Sequence, residues 1–575
     1  MTVETRQRLY TVISATLLLV LGVLAYLPSF DAWFFLDDFR IILENPALQN
    51  VLDPKAVLQF SEARFIASLS FAANYTLHGE SVFGYHLVNF VIHCGAAAAL
   101  GLLLHALLRT PAMSDMAPPW MRFVPWIAAA IFLLHPLQTQ AVTYIVQRYT
   151  SLMAMFYLAS LATFAWARLK GSWPLFGLTI VFGVLALLSK QTAATLPIAI
   201  VLIELLFYRR LSRPAVVALA AASALGALLS FWLLTLPQFD IAGITRETWQ
   251  ISRIDYLATQ MEVLWRYLGL FFLIGEQRLE YSVAVAEGFA QPLTMAMALG
   301  HLVVIGAAFA AWRKAPLVAF SILFCYLAHT IESSFLPIID VAFEHRTYLP
   351  NAGLALVVGA ALAWLGATRL NRRLGTLLGI GLLVLLVGLT HARNSLWADQ
   401  IDFLRNETRL SPDSQRAWTS LGKELMRKGR FEEALQALQE AAEIAQRREN
   451  GALRPPTLLN IIFALHYTGR NREAVELALN SSIDEFNKTE RAFYFEARGR
   501  SYLALGQANR AQQDLTRSAR LNPTVNAMVF LAAAEYDLGR HARASQLARE
   551  VLQAAPNNRM AREIIQRTRN RSQSR

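Results

Sequence analysis

The sequence predicts an all-α protein in which a polytopic membrane domain is followed by an α-solenoid of helical repeats. Of the 575 residues, 55% are hydrophobic and only 16% are charged, with a mean hydropathy of +0.36, whereas a soluble domain carries about 25% charge. More than half of the charged residues nevertheless follow His391. We therefore divide the chain into a membrane domain, residues 1–391, and a repeat domain, residues 392–575.

Eleven apolar runs approach or reach the length needed to cross a bilayer, which is about 20 residues. They lie at 9–29, 85–108, 122–135, 150–167, 174–189, 192–208, 214–236, 293–312, 316–332, 351–368 and 374–391. No small-residue cleavage site follows the first run, so we interpret it as a retained span and not as a signal peptide. A further run, 256–274, contains Gln260, Glu262 and Arg266.

Basic residues beside these runs predict the orientation, because Lys and Arg concentrate in cytoplasmic loops. The clusters are Arg6 and Arg8, Arg109 and Arg122, Arg168 and Lys170, Arg209, Arg210 and Arg213, Arg313 and Lys314, and Arg369, Arg372 and Arg373. All fall on the cytoplasmic side if the N-terminus is cytoplasmic and 256–274 does not cross. We therefore expect about 11 spans, a long first outside loop at 30–84, and repeats outside the cytoplasm.

The repeat domain has an internal period. Gly429-Arg430, Gly469-Arg470, Gly506 and Gly539-Arg540 recur every 33–40 residues, each followed by an Ala-rich helix. The first copy has the tetratricopeptide pattern, Trp418, Leu421, Gly422, Gly429, Phe431, Ala434 and Leu438. Such repeats stack into a solenoid with a concave face for an extended partner, although a solenoid can also serve only as a scaffold or dimer interface.

Several classes of function are excluded. The net charge of +12 and the pI of 9.8 are explained by topology and a basic repeat surface, so we expect no nucleic-acid partner. Cys94 and Cys325 lie in apolar runs, which argues against a disulfide framework or a zinc site. The sequence has no glycine-rich phosphate loop, nucleophile elbow or zincin motif. We therefore expect a substrate that carries its own activated bond.

The residues capable of chemistry lie in outside loops or at span ends. The adjacent carboxylates Asp37 and Asp38 repel one another, so one has a raised pKa and the pair can supply a general base. The pair could instead bind a divalent cation such as Mg²⁺ or Mn²⁺, or Asp38 could cap a helix. Lys190 and Arg148 could hold a phosphate or pair with carboxylates, and Arg346 could form a structural salt bridge with its near neighbour Glu344.

These motifs resemble those of the multi-pass C-type (GT-C) glycosyltransferases, and within them the transmembrane-and-tetratricopeptide-repeat O-mannosyltransferases. The resemblance covers essentially the whole chain. The blocks that carry it are Asp37-Asp38-Phe39-Arg40, Glu44-Asn45-Pro46, Arg64, Gly84 to Asn89, His135-Pro136 to Arg148, Ser189-Lys190-Gln191, Arg346 to Pro350 and Arg393 to Trp397. The chain departs from the animal proteins at Leu36, where they tend to have Trp, and at Gln191, where they tend to have Glu.

The resemblance implies transfer of a sugar from a polyprenyl-phosphate carrier to Ser or Thr hydroxyls of an exported protein, on the non-cytoplasmic face. Asp37 would be the catalytic base, and Asp38 would orient the acceptor or, with Asp37, hold a cation. Lys190, Arg148 and Arg346 would bind the donor phosphate, and the repeats would capture the acceptor. The other pocket residues would be Arg40, Arg64, His86, His135, Gln191, Glu344 and Tyr348.

Two other functions stay open. One is a ligase or polymerase that acts on lipid-linked glycans, and the other is a non-enzymatic membrane anchor that presents the repeats to a partner. Short cytoplasmic loops favour a bacterial inner membrane, with the N-terminus in the cytoplasm and the repeats in the periplasm.

Overall fold

The computed structural model describes residues 3–573, apart from 115, 210–212, 214–215, 218–250, 282, 335, 339, 368–371, 449–452 and 485. The described residues form helices and turns, with no strand among them. Contacts divide the chain into two units, Met1–Gln400 and Ile401–Arg575. The predicted boundary at residue 391 lies inside the last long helix of the first unit, which continues to Ala398.

The first unit is a bundle of apolar helices joined by short helical turns. Its described α-helices are α1 (Val3–Tyr26), α2 (Pro54–Phe60), α3 (Phe65–His78), α4 (Val82–Leu107), α5 (Pro111–Ser114), α6 (Val124–Leu134), α7 (Thr139–Val142), α8 (Arg148–Lys170), α9 (Trp173–Leu187), α10 (Leu196–Ile203), α11 (Arg253–Phe271), α12 (Pro292–Ala311), α13 (Pro316–His329), α14 (Asn351–Ala367) and α15 (Arg372–Ala398).

Six described helices are long and apolar enough to cross a membrane, by length and composition. They are Leu9–Asp31, Val82–Leu107, Ile145–Lys170, Gln191–Tyr208, Pro292–Ala311 and Arg372–Ala398. A bent pair, Pro119–Leu134 with Pro136–Val142, adds a possible seventh, and α9, α13 and α14 are shorter apolar helices. Each predicted span within the described residues coincides with one of these helices, which confirms the apolar helical domain.

The number of spans stays a prediction. The predicted span 214–236 lies outside the described residues, apart from 216 and 217. Helix α11 covers most of 256–274 and is not among the apolar helices found by length and composition. That the run 256–274 does not cross the bilayer stays a prediction.

The bend after α6 has a local cause. Pro136 disfavours a helical conformation at the residue before it, and His135 is extended, with φ −76° and ψ 128°. The ring Nδ1 of His135 accepts the backbone N–H of Leu137 at 3.2 Å, and the helix axis turns by 56°. This break redirects the chain through α7 to the start of α8.

Close packing holds the bundle together. Helix α4 packs on α8 and on α6, and α14 packs on α6 and α13. A Cβ atom at Gly359 of α14 would lie 3.0 Å from the backbone nitrogen of Ala128 in α6, which is closer than ordinary van der Waals contact. Glycine therefore lets the two helix backbones approach closely there.

The second unit is a series of helix pairs. Its helices are α16 (Gln400–Leu410, which begins at the unit boundary), α17 (Gln415–Arg427), α18 (Phe431–Arg448), α19 (Pro455–Tyr467), α20 (Asn471–Leu479), α21 (Lys488–Ala504), α22 (Ala508–Leu521), α23 (Val525–Asp537), α24 (His541–Ala554) and α25 (Arg559–Gln573). The recurring glycines 429, 469, 506 and 539 have φ of 75°, 78°, 74° and 77°. Each ends the first helix of a pair in the left-handed conformation that glycine adopts easily, which confirms the predicted solenoid.

Candidate functional site

The acidic pair lies in a tightly held loop that follows the first apolar helix. The two carboxylates differ in environment: Asp38 is 1% exposed, whereas Asp37 is partly exposed. Asp38 Oδ2 accepts the backbone N–H of Phe35 and its Oδ1 accepts that of Val146, both at 2.8 Å. None of the described residues donates a hydrogen bond to the Asp37 carboxylate, so Asp37 is the member of the pair that is available to a substrate.

The environment of Asp38 also determines its charge. Burial, with a smaller contribution from the neighbouring Asp37, raises the pKa of Asp38 to about 8. Asp38 therefore carries little negative charge at neutral pH, and its main role is to tie the loop to the segment before α8. The side chain does not cap the helical turn at Phe39–Leu43, which was one of the alternatives from the sequence.

We expect this buried acid to make stability depend on pH. The folded protein keeps the Asp38 proton up to about pH 8, whereas an unfolded chain loses it near pH 4. The stability contributed by the raised pKa is therefore present in full below about pH 4 and is lost as the pH rises through 8. The thermal unfolding temperature of detergent-solubilised protein, measured between pH 5 and 8.5, should fall more steeply with rising pH for the native chain than for Asp38→Asn. The same pH dependence in both proteins would contradict the assignment.

A basic cluster forms the second half of the site. It consists of Arg64, Lys190 and Arg346 around the carboxylate of Glu332. The Lys190 Nζ lies 2.8 Å from Glu332 Oε1 and donates to Thr150 Oγ1 at 3.0 Å. Arg64 and Arg346 both act electrostatically on this ion pair. Asp340 also acts electrostatically on Arg346. Three cations therefore face two carboxylates, Glu332 and Asp340, and the basic cluster keeps an excess of positive charge.

Arg346 is held in place by backbone carbonyls. Its guanidinium donates to Val341 O at 3.1 Å and to Asp340 O at 2.6 Å. The side chain is 6% exposed, and its Nε has no hydrogen-bond partner among the described residues. A buried donor without a partner is costly, so this nitrogen is a candidate to bind an anionic ligand.

Tyr149 links the acidic loop to the basic cluster. The guanidinium of Arg64 lies over the Tyr149 ring, 4.9 Å from its centroid. The charges of Asp37 and Arg64 both act on the Tyr149 hydroxyl, and the next residue, Thr150, accepts the hydrogen bond from Lys190. Asp37 and the basic cluster therefore border the same region, at the start of α8.

Arg148 has a different environment from the one expected of a phosphate ligand. It is 0% exposed, and its Nε donates to Asn89 Oδ1 at 2.5 Å. Its other nitrogens donate to Ser70 at 3.2 Å and to Tyr85 O at 3.0 Å. Because protein acceptors already surround this guanidinium, we assign Arg148 to fixing α3 and α4 beside α8, and not to direct contact with a phosphate.

The remaining predicted pocket residues do not all converge. Arg40 is exposed on the acidic loop, and Gln191 directly follows Lys190. The Nε2 of His86 lies 2.7 Å from Ala32 O, where it steadies the start of the loop. The Nε2 of His135 lies 2.9 Å from Phe271 O, so this histidine stabilises the bend after α6.

Glu344 and Tyr348 bind other parts of the bundle. Glu344 Oε1 accepts the Arg278 backbone N–H at 2.5 Å and the Tyr281 hydroxyl at 2.7 Å, and burial raises the pKa of Glu344. The Tyr348 hydroxyl lies 2.7 Å from His93 Nδ1 in the core. The structure therefore separates Glu344 from Arg346, whose hydrogen bonds go to the carbonyls of another segment.

The acidic pair offers few ligands to a divalent cation. Both oxygens of Asp38 accept backbone N–H bonds, and in the described part of the chain no group of three or more His, Cys, Asp or Glu side chains could hold a metal ion. Mg²⁺ prefers six oxygen ligands, and Asp37 alone supplies one carboxylate. A cation at this pair stays a prediction.

Three residues of the site were given no role from the sequence. Glu332 is an isolated acid just beyond an apolar helix, and only the structure shows that it pairs with Lys190. Tyr149 and Tyr144 look like ordinary aromatic residues of a membrane protein. One feature of the sequence indicated their importance: their neighbour Arg148 belongs to a block that carries the family resemblance.

Comparisons with known proteins agree with the two-part organisation. Tetratricopeptide-repeat family models match residues 415–448 and 496–559. A protein O-mannosyl-transferase of Caenorhabditis elegans is 25% identical over 449 residues, covering 71% of this chain and 59% of the relative. Protein O-mannosyl-transferase Tmtc3 of Drosophila melanogaster is 23% identical, covering 66% and 48%. Tmtc1 of the same species is 30% identical over 188 residues, covering 30% and 21%.

The chain thus spans about half the length of the curated relatives that it matches most extensively. A solved structure, the hetero-tetramer Cut9-Hcn1, aligns over 90% of this chain and 92% of its own with 13% identity and a TM-score of 0.27, which is too low to indicate a shared fold. The apolar helices and the relatives together identify an integral membrane protein that carries C-terminal tetratricopeptide repeats. Its similarity is to proteins named O-mannosyl-transferases.

Proposed function

We propose that this protein is a membrane glycosyltransferase of the C-type class. It transfers a sugar from a polyprenyl-phosphate carrier to Ser or Thr hydroxyls of an exported protein, on the periplasmic face of a bacterial inner membrane. The observation that carries the proposal is that the Asp37 carboxylate, to which no described residue donates a hydrogen bond, and Arg64 of the basic cluster both border Tyr149. The names of the relatives support the same reaction class.

This juxtaposition provides the two functions that the reaction needs. Asp37 accepts the proton of the acceptor hydroxyl, and that oxygen forms a bond to the anomeric carbon as the bond from that carbon to the phosphate oxygen breaks. The lipid phosphate leaves with an additional negative charge. Arg64, Lys190 and Arg346 stabilise this charge, because preorganised cations in a site shielded from water are worth more than in bulk solvent.

The charge distribution along the bundle supports a site on the non-cytoplasmic face. Helix α8 begins beside the acidic loop and ends with Arg168 and Lys170, and its 23 residues span about 35 Å. Helix α4 runs alongside, and Arg109 follows its end. The basic residues that the positive-inside rule assigns to the cytoplasm therefore lie at the end of α4 and α8 remote from Asp37.

The proposal is tested by reconstitution. The purified chain in lipid vesicles is given polyprenyl-phosphate mannose and a Ser/Thr-rich peptide, and the products are analysed by mass spectrometry. We expect a hexose on the peptide hydroxyls. A lengthened glycolipid in place of a modified peptide would favour the ligase or polymerase alternative, and neither product, in a preparation that binds the donor, would favour the anchor.

We also propose that the tetratricopeptide repeats capture the protein acceptor. Holding the acceptor near the membrane site raises its effective concentration. A chain that ends after residue 400 should therefore modify a short peptide within a few-fold of the native rate but a full-length exported acceptor about a hundredfold more slowly. Parallel rate measurements with the two acceptors check this, and equal losses on both would contradict acceptor capture.

A further inference from the structure

Leu36, the residue before the acidic pair, has an unusual backbone conformation. Its φ is +40°, in the left-handed region where a side chain crowds the following carbonyl. Arg209 and Leu273 are the other residues besides glycine with positive φ in the described part of the chain. Strain of this kind persists only where surrounding contacts enforce it, so the contacts on either side of Leu36 matter.

Hydrogen bonds hold the backbone on both sides of Leu36. On one side, the Phe35 N–H donates to the Asp38 carboxylate at 2.8 Å. On the other, the Asp37 N–H donates to the hydroxyl oxygen of Tyr144 at 3.1 Å. The Asp38 N–H also donates to Phe35 O at 2.8 Å and closes the turn. The Tyr144 bond is therefore the side-chain contact to the backbone of the proposed base itself.

Tyr144 is in turn held by an aromatic stack. Its ring is 6% exposed and stacks on Trp397, with the centroids 5.9 Å apart and the planes at 28°. Phe35 packs edge-on against both rings, with centroid distances of 6.2 and 5.5 Å. The residue that bonds to Asp37 thus has little freedom to move.

The stack reaches the loop from the end of the last long helix of the first unit. Trp397 is the residue before the last one of α15. Asn394 of the same helix accepts the Thr143 hydroxyl at 2.5 Å and donates to Ala25 O at 2.9 Å. These bonds fix α15 to the residue before Tyr144 and to the end of α1. They account for the Arg393 to Trp397 block, which the proposed chemistry does not use.

We propose that Tyr144, held by Trp397, is a positioning residue that keeps Asp37 in its reactive orientation by enforcing the left-handed conformation of Leu36. This proposal rests on the proposed function, because it assigns the purpose of the loop geometry to Asp37 as a base. In this role Tyr144 acts through the backbone of the loop, by accepting the Asp37 N–H. Without its hydroxyl, Leu36 relaxes towards negative φ and the Asp37 carboxylate rotates away.

The test is Tyr144→Phe, which removes the hydroxyl and keeps the ring in its stack. In the transfer assay with polyprenyl-phosphate mannose and a Ser/Thr-rich peptide, we expect kcat to fall about tenfold, the order of the left-handed backbone cost. The KM for the donor should be unchanged, because the basic cluster is intact. The control is Tyr208→Phe, whose hydroxyl donates to Ala165 O at 3.0 Å near the far end of α8 and whose loss should leave kcat unchanged.

A second substitution separates positioning from a general loss of structure. Leu36→Gly removes the cost of positive φ, so adding it to Tyr144→Phe should restore kcat to within about threefold of the native value. A Tyr144→Phe variant with native kcat would overturn the proposal, and so would a defect that Leu36→Gly does not rescue. If Asp37→Asn itself leaves transfer unchanged, Asp37 is not the base and the positioning role fails with that assignment. Loss of transfer in Asp37→Asn alongside an unaffected Tyr144→Phe defeats only the positioning role.

Discussion

Replacement of Asp37 by Asn is expected to lower sugar transfer by about three orders of magnitude, within the range that a general base contributes. The amide has nearly the same shape as the carboxylate but cannot accept the acceptor's proton. No described residue depends on this carboxylate for a hydrogen bond, so the variant should fold and express like the native chain. Initial rates with saturating polyprenyl-phosphate mannose and a Ser/Thr-rich peptide measure the effect.

A matched control lies at the start of the same loop. Asp31 is exposed, and Asp31→Asn removes the same charge a few residues from the site, so transfer should stay within about twofold of the native rate. Donor binding, measured with polyprenyl-phosphate mannose, should persist in Asp37→Asn because the basic cluster is unchanged. Native transfer by Asp37→Asn would remove this residue from the mechanism.

The second large effect is expected for Lys190→Met. This change removes a cation from the proposed phosphate site, and loss of one such stabilising group costs about 10²–10³ in kcat. It also leaves the Glu332 carboxylate, now 2.8 Å from the Lys190 ammonium, without its principal partner. Arg64 and Arg346 still act on Glu332, so the loss of stability should be smaller than the about 3–5 kcal/mol of a buried charge left with no partner. Both kcat and the thermal unfolding temperature should nevertheless fall.

The double variant Lys190→Met with Glu332→Gln separates the two contributions. Glutamine removes the carboxylate that has lost its principal partner, so part of the lost stability should return, while transfer should remain about 10²-fold below the native rate. Glu332→Gln alone tests whether the carboxylate restrains Lys190 or is needed for the reaction. If the double variant regains both stability and transfer, Lys190 is a structural cation and the phosphate assignment is wrong.

The helical architecture followed from the sequence because its physical causes are local. A run of about 20 apolar residues must be helical to satisfy its backbone within a membrane, and each predicted span in the described residues coincides with an apolar helix. The helix ends of the repeats were also predicted correctly, since the recurring glycines all adopt the left-handed conformation that ends a helix, at residues Gly429, Gly469, Gly506 and Gly539. These features depend on neighbours a few residues away.

The candidate site was only partly predicted from the sequence, because the role of an ionisable side chain depends on contacts with residues that are distant in sequence. Asp37 and Asp38 are adjacent and look equivalent, yet contact with Val146 and burial make Asp38 a structural acid. Lys190 and Arg346 were expected to share a site, and the structure brings both to Glu332. Arg148 looked like a phosphate ligand, but its hydrogen-bonding groups are already occupied within the protein.

Composition and periodicity thus established a membrane-embedded helical domain, a soluble solenoid and a set of candidate polar residues. Only the tertiary structure shows which of those residues contact each other. The decisive contacts join residues more than a hundred positions apart, such as Lys190 with Glu332 and Asp37 with Tyr144. The physical reason is that the hydropathy of a segment can be read from consecutive residues, whereas the protonation and orientation of a buried group depend on the residues that surround it in space. The left-handed Leu36 is the clearest case, since nothing in its sequence neighbourhood requires that conformation.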